Sequence, residues 1–159
     1  MRKRSSYKRH ELKADSVFSR VDVSRFVNYL MTHGRKATSE RVFYAALEHI
    51  KTKTKGAEEP VKVFEKAMEN ATPLVEVVSK RIGGANYQIP QDVRPERKFF
   101  LASHWIIDAA RSGKGRTMAE KLAEELLAAS KNEGSAIKKK LDTHRMAEAN
   151  RAFASLVRR

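Results

Sequence analysis

The chain has 159 residues, no cysteine, and 33 Lys or Arg against 19 Asp or Glu, a formal net charge of +14. That length suffices for a core that removes roughly 70% of the unfolded surface from water, and the missing thiols exclude disulfides and thiolate metal sites, in keeping with a reducing compartment. No apolar run approaches the ~18 residues of a membrane span and none follows the basic start Met1–Arg4, so neither leader nor membrane segment is expected, and the polycation that remains should meet a polyanion.

Residues 1–19 are expected to form a basic arm, and 20–153 a single helical domain. Val23, Phe26, Val27, Leu30 and Met31 recur with the spacing of one buried helix face, and Gly34 stands where that helix should be capped. The second helix should enter through Thr38 or Ser39, bury Val42, Phe43, Ala46, Leu47 and Ile50, and stop by Gly56. The third opens at Glu59–Pro60, carries Val61, Phe64, Ala67, Met68 and Ala71, and must end before Pro73, whose ring disfavours helical backbone behind it.

Between Pro73 and Pro90 the period drops to two: Val75 and Val77 flank Glu76, and Tyr87 and Ile89 flank Gln88. Gly83–Gly84 supply the positive φ angles of a hairpin turn, which is expected to carry Lys80 and Arg81. A lone two-stranded ribbon over 73–90 is marginal in water and should dock into something, while Tyr87 can pack along it or stack on a base. Pro95 begins the fourth helix, with Phe99, Ala102, Ile106, Ala109 and Ala110 on its inner face and a break at Ser112–Gly113. Thr117 and Glu120 make a capping box for the fifth, whose stripe is Met118, Leu122, Leu126 and Ala129, and Gly134 closes the loop after it. A sixth helix over about 135–150 has a thin apolar face of Ile137, Leu141, Met146 and Ala149, and 154–159 should be a basic tail. Phe43, Phe64, Phe99, Phe100 and Trp105 read as core. The expected architecture is mainly α, a six-helix bundle with one protruding two-stranded antiparallel β-ribbon.

The positive charge is segregated. Residues 1–20 and 135–159 each hold seven Lys or Arg against two acids, and 34–56 hold six against two, whereas 57–72 and 117–134 each hold two bases against four acids. Two helices should therefore avoid a polyanion while the other segments face it, the footprint of nucleic-acid binding. Chemistry on a substrate has little support. The five histidines are scattered without helical ligand spacing, no Gly-x-Ser-x-Gly elbow occurs, and no acid/base constellation suggests an RNA-modifying enzyme. Gly113–Thr117 fails the phosphate-loop pattern, and what survives is a basic glycine loop leading to a helix start that suits a backbone phosphate. No catalytic residue, metal, cofactor or small-molecule substrate is expected. A DNA-bending architectural protein also joins a helical body to a ribbon arm, but only Ile82 at this tip could act as the apolar wedge.

Several blocks resemble one family in collinear order. Gly83–Pro90, Val93–Arg97 and Trp105 look like the signature of the universal small-subunit ribosomal protein seven family, bacterial type, and Asp142–Phe153 is similar to its C-terminal block. Phe26–Asn28, Leu30–Met31, Gly34–Lys36 and Pro73–Val77 match as well, while Ala14–Phe18 and the ending after Phe153 depart from the family pattern. The resemblance implies a cytoplasmic structural constituent of the ribosome, a primary binder of the 3′ major domain of small-subunit ribosomal RNA that nucleates assembly of the subunit head. It carries Arg2, Lys3, Arg4, Lys8, Arg9, Arg35, Lys36, Arg94, Arg97, Lys98, Lys114 and Arg116 to that RNA. Lys80, Arg81, Gly83, Gly84, Tyr87, Lys138, Lys139, Lys140, His144 and Arg145 would face exit-site transfer RNA and messenger RNA. Small-subunit proteins nine and eleven are implied as neighbours.

Overall fold

A computed structural model describes residues 11–158, with side chains as far as residue 154. Among the described residues there are six α-helices and one two-stranded antiparallel sheet: α1 Val21–Leu30, α2 Lys36–Lys53, α3 Pro60–Ala71, β1 Val75–Ile82, β2 Ala85–Asp92, α4 Pro95–Ser112, α5 Met118–Ser130 and α6 Ser135–Ala149. A 3-10 helix, Arg151–Arg158, follows, where the sequence suggests a plain tail from residue 154. By packing the chain divides into two units, Met1–Glu40 and Arg41–Arg159.

In the first unit, Asp15 organises the approach to α1. Its carboxylate accepts the N–H groups of Val17 (3.1 Å) and Phe18 (3.0 Å), and its own N–H donates to the Arg20 carbonyl (3.0 Å). This side-chain turn sets the backbone of Ala14–Phe18 locally, through hydrogen bonds. Arg20 bonds both carboxylate oxygens of Asp22, which holds its guanidinium above its ordinary pKa against a small opposing effect of burial. On α1, Val23, Phe26, Val27 and Leu30 are buried as their spacing predicts. The next helix begins at Lys36, ahead of Thr38 and Ser39, and the Ser39 hydroxyl donates to the Arg35 carbonyl (3.3 Å).

In the second unit, α5 packs against α3 and α4, α6 packs against α4, and the ribbon lies along α6 and the 3-10 helix. Phe43 and Phe64, both buried, meet edge to face with centroids 5.4 Å apart. Asn70 knits three helices: its amide donates to the Ala129 (2.9 Å) and Ser130 (3.0 Å) carbonyls at the end of α5, and its carbonyl accepts Lys140 Nζ from α6 (2.6 Å). The capping residue of α5 is Thr117, whose hydroxyl accepts the Glu120 N–H at 3.4 Å.

Four expectations are corrected. The ribbon runs through Pro90 to Asp92, because both strands are edges and a proline nitrogen on the unpaired side breaks no ladder bond. Lys80 and Arg81 belong to β1, opposite Tyr87 and Asn86, and the turn is Gly83–Gly84 alone, with φ of +58° and +90°. The buried face of α6 is Ala136, Ile137, Thr143 and Ala147, while Leu141 (56% exposed) and Met146 (46%) turn outward, one position off that stripe. Phe99, Phe100 and Trp105 are only half-buried, since α4 turns Ala102, Ser103, Ile106, Ile107 and Ala110 inward instead.

The start of α6 is capped from outside. Gly134 sits at φ +96°, ψ 175°, a region open to glycine almost alone, and it lacks a side chain to bond the helix. Glu125 of α5 takes that role, accepting the Ala136 N–H at 2.8 Å, and an added Cβ on Gly134 would stand 2.8 Å from the same carboxylate oxygen. Gly134→Ala should destabilise by about 1–3 kcal/mol and Glu125→Ala by about 1 kcal/mol. The double variant should lose less than the sum, because deleting the carboxylate removes the clash. Urea denaturation of the three proteins checks this, and strict additivity would show that the two residues do not share a site.

Candidate nucleic-acid interface

Alternation along β1 sends Lys80 and Arg81 to opposite faces of the ribbon tip. Both are exposed and, among the described residues, neither joins an ion pair, so the tip presents cations on two sides. Around the Gly83–Gly84 turn nothing lies within 4 Å of where a Cβ would be, so conformation and not crowding favours glycine there. Tyr87, opposite Lys80, has its ring beside Phe153 of the 3-10 helix, with centroids 5.4 Å apart and planes at 59°. That contact favours packing along the ribbon as the use of this aromatic.

At the start of α4, Pro95 occupies the first turn and Arg94 caps the helix with extended backbone, its side chain exposed. Arg97 donates from Nε to Glu76 of β1 (3.2 Å), and its guanidinium lies 4.9 Å from the centroid of Phe100, whose ring stacks on His104. This cation is tied to the ribbon's base, whereas Arg94 reaches solvent and Lys98 is half-buried. Sequence reasoning missed Glu76 as the partner, although an acid set between Val75 and Val77 on an otherwise apolar and basic strand is the signal that marks it.

The loop ahead of α5 is similarly divided. Lys121 Nζ donates to the Gly113 carbonyl (3.0 Å), Arg116 pairs with Glu124, and Glu124 also accepts Lys53 Nζ (2.8 Å). The Lys53 hydrogen bond, with the Lys53 and Arg116 charges, holds the exposed Glu124 carboxyl below its usual pKa. Lys114 is left pointing outward without an ion pair among the described residues.

On α6, Lys138 and Lys139 are exposed, and Arg145 stands 3.8 Å from Asp142 with most of its side chain in solvent. Lys140 and His144 turn inward. Lys140 bonds the Asn70 carbonyl, and burial lowers its pKa from the ordinary value. The His144 Nε2 accepts the Leu74 N–H at 3.2 Å, and burial, followed by the Lys140 charge, lowers its pKa. In the first unit Arg35 and Lys36 are exposed, with Lys36 3.8 Å from Glu40. Arg2, Lys3, Arg4, Lys8 and Arg9 lie outside the described residues.

A cleft of about 460 Å³ is lined by Lys53, Lys66, Lys131 and Glu58, among others, and its polar groups are largely engaged. Lys53 is already paired with Glu124, and the neighbouring hydroxyls of Thr54 and Ser130 donate to their own helices. Among the described residues no helix is long and apolar enough to cross a membrane, and no group of three or more His, Asp or Glu could hold a metal ion.

A family model described as ribosomal protein S7p/S5e matches residues 1–151. The small ribosomal subunit protein uS7 of Chelativorans sp. is 49% identical over 154 residues, 97% of each chain. The proteins of the same name from Bdellovibrio bacteriovorus and Brucella canis are 48% identical over 96% of each chain and 47% identical over 97% of each.

Phe153→Ala should loosen the ribbon, because an aromatic pair contributes about 0.5–1.5 kcal/mol beyond its burial. Amide exchange at Tyr87 and its strand neighbours should quicken by about three- to tenfold, as that energy implies, with the α3 and α5 amides unchanged. Unaltered exchange in β2 would show that the Tyr87–Phe153 contact does not hold the ribbon.

Proposed function

The chain belongs to the ribosomal protein S7p/S5e family and is a structural constituent of the ribosome without enzymatic activity, and from that premise we propose that it binds the 3′ major domain of small-subunit ribosomal RNA and nucleates the subunit head in the cytoplasm. The arm Arg2–Arg9 and the side chains of Arg35, Lys36, Arg94, Arg97, Lys98, Lys114 and Arg116 serve that RNA. Lys80, Arg81 and the turn glycines, and on α6 Lys138, Lys139 and Arg145, approach exit-site transfer RNA and messenger RNA. Lys140 and His144 act behind that surface by setting its shape. Small-subunit proteins nine and eleven are the protein neighbours of this reading.

The observation that carries the proposal is the use made of the acids. Glu76, Glu124 and Glu125 are engaged within the second unit, while Lys80, Arg81, Arg94, Lys114, Lys138 and Lys139 keep exposed charges without an ion pair among the described residues. Exposed cations that the protein does not neutralise itself are free to displace counterions from phosphates. The deep major groove of an RNA helix admits side chains poorly, so recognition rests on phosphate and 2′-hydroxyl positions, with specificity in RNA shape.

If about eight phosphates are neutralised, the logarithm of the binding constant for a 3′ major-domain fragment should fall with log salt at a slope of roughly −6 to −7. Duplex DNA titrated in parallel should bind more weakly at physiological ionic strength, and equal affinity would favour a DNA-bending role. The two basic surfaces should also separate. Arg94→Ala with Arg97→Ala should weaken fragment binding and flatten the slope by about one, for the contact of Arg94, because Arg97 is already answered by Glu76. Lys80→Ala with Arg81→Ala should spare head assembly and lower exit-site transfer RNA retention in reconstituted subunits. Loss of assembly from the ribbon change would show the two surfaces to be assigned the wrong way round.

A further inference from the structure

We propose that His144 is a positioning residue, a proton-sensitive latch that seats the base of the β-ribbon on α6. Leu74 is the pivot. Its N–H donates to His144 Nε2 (3.2 Å), and its carbonyl accepts the Val93 N–H (3.1 Å), so one residue joins α6 to both ends of the ribbon. A ring nitrogen that accepts an amide proton carries its lone pair there, which fixes neutral His144 as the Nδ1–H tautomer. Protonation would set two N–H groups against each other and abolish the bond.

The surroundings oppose that protonation while the ribbon is seated. Lys140, one turn back on α6, is held by the Asn70 carbonyl (2.6 Å) and adds its charge to the effect of burial on the imidazole. The groove that His144 shares with Leu74, Val75 and Pro90 also holds Glu148 and Arg151, which pair with each other at 3.3 Å. On β1, Glu76 is taken by Arg97, and on α6, Asp142 lies near Arg145, leaving Asp92 at the ribbon's base as the nearby carboxylate without an ion pair among the described residues. Asp92 does not line the groove.

The sign follows from the depressed pKa. As pH falls below the ordinary value of 6.5, unseated His144 takes up a proton before seated His144 does, so seating is complete above that value and is lost as pH falls through the lowered one. The functional consequence rests on the exit-site reading above: acidification would loosen one hold on the ribbon's base and so the pose that presents Lys80 and Arg81.

Nuclear magnetic resonance of the full chain from pH 7.5 to 5 tests the latch without RNA. The Leu74 amide proton should shift with the same midpoint as the His144 ring, below 6.5, and its exchange protection should drop by about tenfold, as for one lost hydrogen bond. His144→Gln keeps an acceptor that does not titrate, so its Leu74 amide should hold steady across the range. A Leu74 amide indifferent to His144 titration, the same titration in His144→Gln, or a neutral His144 carrying its proton on Nε2 would each overturn the proposal. Exit-site transfer RNA retention by reconstituted subunits, measured over the same range, separates the two readings. A working latch with pH-independent retention in both proteins would count against the exit-site assignment and leave the latch standing.

Discussion

A two-stranded ribbon leaves both its edges unpaired and has little stability of its own in water, so whatever this chain does with its ribbon depends on how the base is held. The hold combines four kinds of contact. Ile89 is fully buried, Leu74 bridges His144 and Val93, Glu76 binds Arg97 of α4, and Tyr87 leans on Phe153 of the 3-10 helix. Three separate elements thus constrain β1 and β2, and Lys80, level with the Tyr87 contact, and Arg81, one residue beyond it, stand on a strand that is already held. A cation on a preordered strand loses less freedom on binding than one on a coil, which is the physical reason to mount it there.

The same logic governs charge in the second unit. A chain with +14 resists compaction unless some of its positive groups are answered internally. Here the answers are local and specific: Glu124 between Lys53 and Arg116, Glu76 on Arg97, and backbone carbonyls on Lys121 and Lys140. Exposed pairs of this kind contribute little to stability, and their effect is to decide which cations stay available. Lys80, Arg81, Arg94, Lys114, Lys138 and Lys139 belong to those left over among the described residues.

Much of this was legible in the residues. Pro60, Pro95 and Thr117 mark helix starts that the structure keeps, and the glycine pair marks the turn, because each acts through local backbone geometry. What was hidden depends on partners distant in the chain. The true buried face of α6 follows from packing against α4 and the ribbon, which turned Leu141 outward and drew in the stem of Lys140. The inward roles of His144 and Arg97 required knowing that Leu74 and Glu76 come beside them, and the cap on α6 comes from Glu125 on another helix. Pro90 hid the end of β2, since a proline reads as a strand terminator until the strand is known to be an edge.

Under the proposed function the ribbon is a fixed mount that would deliver cations to RNA passing the exit site. The absence of cysteine makes a direct measurement simple: Asn86→Cys at the tip carries a single photoreactive label, and labelled protein is assembled into small subunits bearing transfer RNA and messenger RNA. The account expects cross-links to the transfer RNA in the exit site or to the adjacent message. Cross-links confined to protein or to ribosomal RNA remote from that site would contradict it.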